Sequence, residues 1–261
     1  MPEADTIDRV IACKRIHNFR DYGGYATSHG RLRDGWLYRS AQHFDANADD
    51  LARVAALGLA VVIDLRGKTE RREAPCPRPE GFDAEIVAIE DETVSMAPHV
   101  DAARAEMTGA EARESMANAY ITMPFRPVLM QLYSRYFEKL AEVDGPSLIH
   151  CLAGKDRTGI AVALLHHIVG VHHDDMMSDY MMTNVTGNIE ERVKAGGRHI
   201  KARMGEMSDD ALRGLMSVEP RYLENGFVAM AEKYGSIDAY LAEGLGVTPE
   251  RRERIIARLT V

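Results

Sequence analysis

No stretch of this chain approaches the roughly 20 consecutive apolar residues that a membrane span needs, so no membrane crossing is expected. Cysteines are scarce: Cys13, Cys76 and Cys151 are an odd set, too sparse for a disulfide framework and without a C-x-x-C metal pair, which fits a reducing compartment. Long basic runs are also missing, and the formal charge is −8. The field of the whole molecule would therefore repel nucleic acid and anionic lipid at a distance, and an anionic substrate must be held by local donors. The N-terminus MPEADTIDRVIACKRIHNFRD has acids where a signal peptide has bases, and it lacks a continuous apolar segment. A cytoplasmic protein is expected, with export by a route that leaves no such signal left open. There is no internal repeat and no low-complexity segment.

What is present is an ordinary globular composition, 46% hydrophobic and 28% charged, over a length that suits one domain spanning residues 1–261. GYATSHGRL reads as a hairpin leading to a strand at Trp36 to Tyr38. Asp45 is the expected cap of a helix carrying Leu51, Val54, Ala55 and Leu57, closed by Gly58. LAVVIDL has the unbroken apolar, β-branched pattern of a strand buried on both faces, which implies a parallel sheet. AEIVAI reads as another strand, and residues 92–124 as a helical segment rich in Met, Ala and Glu. Pro127 opens a helix with a stripe of Val128, Leu132, Tyr133, Tyr136, Phe137 and Leu140. SLIH forms a strand that runs into CLAGKDRTG and the helix GIAVALLHHIV, stopped by Gly170. Further helices follow, one capped by Asp174 and the last opened by Thr248 and Pro249. The expected fold is α/β: a central, mostly parallel sheet flanked by helices, with extra C-terminal helices of which about 185–218 could form a lid.

The chemistry concentrates in His150-Cys151-Leu152-Ala153-Gly154-Lys155-Asp156-Arg157-Thr158-Gly159. A thiol stands at the end of an apolar strand, with an arginine six positions on at the opening of a helix. Backbone N–H groups of Leu152 to Arg157 can converge on phosphate oxygens, the helix N-terminus adds about half a positive charge, and Arg157 can bind two oxygens at once. The donors that fit a phosphate dianion also stabilise a thiolate. Cys151 would attack phosphorus to give a phosphocysteine, Arg157 would clamp the phosphoryl group, and Thr158 could donate its hydroxyl to the sulfur as it leaves. Gly154 and Gly159 allow the tight curl. A Walker A loop fails here, because Ile149 and Asp156 stand where that motif needs Gly and Ser or Thr. A rhodanese-like sulfurtransferase and a non-catalytic phosphate-binding module are the alternatives; the spacing of Arg157 and Thr158 fits phosphate better than a sulfur donor.

These residues match the H-C-x5-R-T-G signature of protein tyrosine phosphatases. The AGKDRTG form resembles the bacterial tyrosine and phosphoinositide phosphatases typified by mycobacterial protein tyrosine phosphatase B. Asn18-Phe19-Arg20-Asp21 with Gly23-Gly24, Tyr38-Arg39-Ser40, Asp64-Leu65-Arg66 with Glu70, and YLENGFVAMAEKYGSIDAYLAEGLG resemble further segments of that family. The resemblance implies a cysteine-phosphatase fold, no cofactor or metal, helices able to cover the site, and inorganic phosphate or sulfate as a ligand of the loop. Phosphotyrosine in a protein is the expected substrate, with phosphoserine, phosphothreonine and phosphoinositides also open. It further implies that Arg20, Asp21 and Arg39 form an ion-pair frame behind the loop.

A leaving group needs a proton, and the only tryptophan, Trp36, precedes Leu37-Tyr38, so the Trp-Pro-Asp acid loop of larger tyrosine phosphatases is absent. Two candidates remain. Asp156 lies inside the loop, where it resembles the aspartate of myotubularin-type lipid phosphatases, as acid or as the residue that orients water. Asp64 ends VVID, at the carboxyl edge where α/β sheets place ligands, and could equally be a partner for Arg66. Lys155 is either a second cation for a substrate with more than one phosphate or a solvent-facing rim residue. Leu152 weakens the polyphosphate case, since dedicated phosphoinositide phosphatases carry a basic residue there. The pairs His166-His167 and His172-His173 read as helix residues beside the capping Asp174 and Asp175 rather than metal ligands. Met176, Met177, Met181, Met182, Met204, Met207 and Met216 read as adaptable packing.

Overall fold

The computed structural model describes residues 9–90, 99, 102, 103, 106–194 and 207–261. The strands are β1 Arg20–Asp21, β2 Ala26–Thr27, β3 Gly30–Arg31, β4 Leu37–Ser40, β5 Val61–Asp64, β6 Glu85–Val87 and β7 Ser147–His150. The helices are α1 Ala48–Ala56, α2 Lys68–Glu73, α3 Gly109–Thr122, α4 Pro127–Glu142, α5 Asp156–Val169, α6 His173–Met181, α7 Thr183–Thr186, α8 Ile189–Lys194, α9 Asp209–Met216, α10 Pro220–Tyr234, α11 Ile237–Ala239 and α12 Pro249–Leu259. None is long and apolar enough to cross a membrane.

Five strands form one sheet in the order β1-β4-β7-β5-β6. Its pairs are parallel except at the β1 edge, which lies antiparallel to β4. The apolar runs of β5 and β7 are buried at every position, as expected for parallel strands with helices on both faces. Register then places the site. Ser40 and Asp64 both stand opposite His150, so the carboxyl ends of β4, β5 and β7 finish level, and Cys151 leaves the sheet from the middle of that edge.

Behind the sheet, α5 is buried along almost its whole length and Gly170 ends it in the left-handed conformation, φ 74°. Of the stripe expected on α4, Leu132, Tyr133, Tyr136, Phe137 and Leu140 are all buried, while Val128 is half-buried and Leu129 beside it is buried instead. α3 packs against α9 and α10, and α4 packs against α12.

Three local expectations are corrected or limited. Asn47, not Asp45, caps α1, because its side chain accepts from the Asp50 amide while the Asp50 carboxylate accepts from the Asn47 amide, a reciprocal box that Asp45 is two residues too early to make. His172, not Asp174, caps α6; its Nδ1 accepts from the Asp174 amide at 3.3 Å, which puts Asp174 and Asp175 inside the first turn. Of the segment 92–124, α3 is described, whereas 92–98, 100, 101, 104 and 105 lie outside the described residues. The same holds for the lid segment: α8 and α9 stand at its two ends, and 195–206 between them lie outside the described residues.

Candidate active site

Cys151, 3% exposed, follows β7, and the chain curls through Leu152 to Lys155 before Asp156 opens α5. The curl is held from outside by its carbonyls. Asn18 Nδ2 donates to the Gly154 oxygen at 2.7 Å and reaches the Ala153 oxygen at 3.4 Å, while Arg39 Nη2 donates to the Gly154 oxygen at 3.0 Å. Pinning the carbonyls outward turns the opposite, N–H face of the curl inward, toward the first-turn N–H groups of α5 that have no helical acceptor. Gly154 has φ +62°, and a Cβ there would overlap the Ser40 carbonyl group. Gly154→Ala is therefore expected to push the loop off β4 and lower kcat/KM about 10²-fold, the usual effect of misplacing reacting groups by about 1 Å; aryl phosphate hydrolysis measures it. Gly159 is needed for a different reason, since a Cβ would stand 3.0 Å from the Tyr180 ring.

Arg157, 2% exposed, is gripped by Glu70: Nη1 to Oε2 at 2.7 Å and Nη2 to Oε1 at 2.9 Å. Nη1 also donates to the Leu65 oxygen, and the Tyr133 hydroxyl donates to the Arg157 carbonyl. Its Nε has no hydrogen-bond partner among the described residues. Burial would weaken the guanidinium's hold on its proton, but Glu70 reverses that and raises the pKa further. Glu70 is affected in the opposite direction: burial favours its neutral form, and Arg157 overrides burial and lowers the pKa. The glutamate sits at the third position of α2, where it also accepts from the Gly67 amide. The sequence offered Glu70 only as part of a resembling segment, without a task.

The frame behind the loop differs from the expected Arg20–Asp21–Arg39 set. Arg20 and Arg39 both pair with Asp179 of α6, at 3.0 and 2.6 Å. The two arginines pull the buried Asp179 carboxyl far below its ordinary pKa against the upward push of burial. Asp21 instead accepts from the Gly23 and Gly35 amides and shapes the turns beside β1. Arg20 Nη1 bonds the Asn18 side chain, which also accepts from Thr186 Oγ1. The sequence offered Asn18 only as part of a resembling segment, and nothing in its pattern singles out Asp179.

The two candidate acids are both buried and both ionised. Asp64 accepts from Arg66 Nε at 2.9 Å, Nη2 at 2.7 Å and the Arg66 amide at 3.0 Å. His150 and Arg66 outweigh burial and hold its pKa far below the ordinary value. Burial would raise the Asp156 pKa, but Lys155, His99 and a hydrogen bond from Tyr120 lower it from 3.8 to about 2. Lys155 is neither a rim residue nor a free second cation. Its buried Nζ donates to the Leu215 and Ser217 carbonyls at the end of α9, at 2.6 and 3.1 Å, and lies 3.1 Å from Asp156 Oδ1. Thr158 Oγ1 is buried with no hydrogen-bond partner among the described residues. His150 is buried, stacks on His43 at 5.6 Å, and burial leads its pKa down to about 4, so it rests neutral at pH 7.

The sequence model described as "Tyrosine phosphatase family" matches residues 11–261. A protein of Cupriavidus necator named as a tyrosine-protein phosphatase is 31% identical, over 91% of this chain and 84% of its own length. The triple specificity protein phosphatase PtpB of Mycobacterium tuberculosis is 29% identical over 87% of this chain and 90% of its own. A tyrosine-protein phosphatase of Nostoc commune is 29% identical over 82% and 70%. The family model runs through the loop, the helix bearing Glu70 and the C-terminal helices alike, and on that ground, with the relatives beside it, the chain belongs to the tyrosine phosphatase family and is a phosphatase.

Proposed function

We propose that this chain is one catalytic domain that hydrolyses phosphotyrosine in proteins through a phosphocysteine on Cys151. The observation that carries the reading is the unpartnered Nε of Arg157: the other two nitrogens are tied by Glu70, and the remaining buried donor of the guanidinium has no acceptor among the described residues. A phosphoryl oxygen supplies that acceptor. Loop N–H groups of Leu152, Ala153, Gly154, Lys155, Asp156 and Arg157 hold the others.

In the first step the Cys151 thiolate forms an S–P bond as the P–O bond to the leaving group breaks, and the electron pair departs with that oxygen. In the second step water forms a P–O bond, the S–P bond breaks, and the sulfur recovers its electron pair. The water proton goes to Asp156, which already rests as a carboxylate. Asp64 supports the site through Arg66 rather than by giving a proton, since Arg66 already occupies both of its oxygens. Thr158 turns its unpartnered hydroxyl to the sulfur only when the thiolate leaves.

Substrate preference follows from this proton inventory. With both carboxyls ionised, the leaving oxygen departs without a resident acid and is protonated by solvent. A phenolate, whose conjugate acid has a pKa of about 10, tolerates that far better than an alkoxide. The mycobacterial relative is named for triple specificity. In this chain phosphotyrosine leads, and phosphoserine, phosphothreonine and phosphoinositides follow at lower rates.

Rapid mixing with p-nitrophenyl phosphate tests the scheme. Asp156→Asn is expected to release one equivalent of nitrophenolate in a burst and then turn over about 10²-fold more slowly than wild type, as loss of a general base requires. Steady turnover with no burst and no phosphorylated protein in quenched samples would contradict the cysteine intermediate.

A further inference from the structure

A chain of buried hydroxyls ends on the loop aspartate. The Tyr180 hydroxyl donates to the Tyr120 hydroxyl at 2.7 Å, and Tyr120 donates to Asp156 Oδ1 at 2.9 Å. A phenol has a single proton to give, so the donation from Tyr180 into the Tyr120 oxygen leaves the Tyr120 proton aimed at Asp156, and each bond polarises the next. Both rings are fixed: they meet edge to face at 6.3 Å, and Tyr222 packs on Tyr120 at 5.7 Å. Burial keeps both phenols protonated, with pKa values raised well above 10.

The arrangement treats the two carboxylate oxygens differently. Oδ1 accepts from Tyr120 and lies 3.1 Å from Lys155 Nζ. Oδ2 lies 3.5 Å from His99 Nδ1, at the long limit of a hydrogen bond, and that nitrogen has no closer partner among the described residues. Among the described residues, the Asp156 charge also reaches the buried phenols of Tyr180 and Tyr133 and raises their pKa values. Tyr120 belongs to α3 and Tyr180 to α6, outside the signature loop. Asp179, next to Tyr180, holds Arg39 and through it the Gly154 carbonyl, so adjacent residues of α6 reach both sides of the loop.

We propose that Tyr120, backed by Tyr180, is a positioning residue for hydrolysis of the phosphocysteine: it ties Oδ1 of Asp156 and leaves Oδ2 to take the proton of the attacking water. This rests on the reading of Asp156 as the base of the second step.

The test separates the two steps on p-nitrophenyl phosphate. Tyr120→Phe keeps the ring and removes the donor; it is expected to lower the steady-state rate about tenfold while the burst rate stays within about twofold of wild type. Tyr180→Phe should act in the same direction and less. Tyr222→Phe, in the same aromatic cluster but outside the hydroxyl chain, should leave both phases unchanged. Tyr120→Phe combined with Asp156→Asn should be no slower than Asp156→Asn alone, since the two changes act through one group. Equal slowing of both phases by Tyr120→Phe, or fully additive losses in the double variant, would overturn the positioning role. Failure of Asp156→Asn alone to slow the second phase would instead remove the base on which the proposal rests.

Discussion

Cys151→Ser is expected to abolish turnover, lowering kcat/KM by at least about 10⁴-fold, while the protein still binds inorganic phosphate. A serine hydroxyl is weakly nucleophilic at its own pKa, and losing the nucleophile of a covalent mechanism elsewhere costs about 10⁶ in kcat. Asp156, the base of the second step, serves a water that attacks phosphorus in line from the side opposite residue 151, not the residue-151 hydroxyl. His150 precedes it but is buried and stacked on His43, with burial lowering its pKa to about 4 and so making it a weak base, and the nearby carboxylates Asp64 and Glu70 are occupied by Arg66 and Arg157. The change removes no donor from the loop if, as proposed, amides and Arg157 hold the phosphate, so a thermal melt should show wild-type stability and phosphate should still raise Tm. p-Nitrophenyl phosphate hydrolysis read beside that melt is decisive: wild-type turnover by the serine variant would end the cysteine mechanism. Thiosulfate-dependent sulfur transfer by the wild type, with no phosphate release, would move the chemistry to the rival class.

What was legible in the sequence lay within contiguous stretches. SLIH running into CLAGKDRTG and an apolar helix fixed strand, loop and helix together, because each segment has its own period and the thiol and arginine need only six positions to meet. The unbroken apolar run of β5 likewise implied a parallel sheet, which its pairing with β7 shows. Caps were less secure. Asp45 and Asn47 are equally good cap residues by type, and only the reciprocal bond with Asp50 separates them.

Tertiary partners were the part that could not be read. Asp179 sits in a helix rich in Asp and Met, where a single carboxylate has no periodic mark, yet it holds Arg20 and Arg39 from more than a hundred residues away. Lys155 shows the opposite failure. Position inside a phosphate loop suggested a cation turned to substrate or solvent, but the free carbonyls at the C-terminus of α9 are strong acceptors for an ammonium group, and packing brings them to it. Tyr120 is one of ten tyrosines in the chain, and nothing in its Met-, Ala- and Glu-rich stretch marks it. Its task follows only from the position of Asp156.

Arg157→Lys is expected to lower kcat/KM about 10³-fold, although it conserves charge. Lysine offers a point charge in place of a fork, so it loses both the bidentate grip of Glu70 and the free Nε donor. Removing one preorganised donor from a developing anion costs about 10² to 10³ in rate, and this change also loosens the clamp that aims the rest. Glu70→Gln should cost less, about 10-fold to 10²-fold, because the guanidinium keeps its charge and its bond to the Leu65 oxygen but loses an ionic partner. The pH sign distinguishes these two effects. The Glu70 pKa is lowered from 4.5 in the folded state, so the stability it contributes is fully present above that value and is lost only as pH falls through the lower, folded value. Between pH 5 and 8 the clamp is therefore constant. The Glu70→Gln deficit should be flat across that window, and Arg157→Lys should weaken inhibition by inorganic phosphate at every pH within it. A lysine variant with wild-type kcat/KM and phosphate inhibition would show that the buried fork is only a brace for α2.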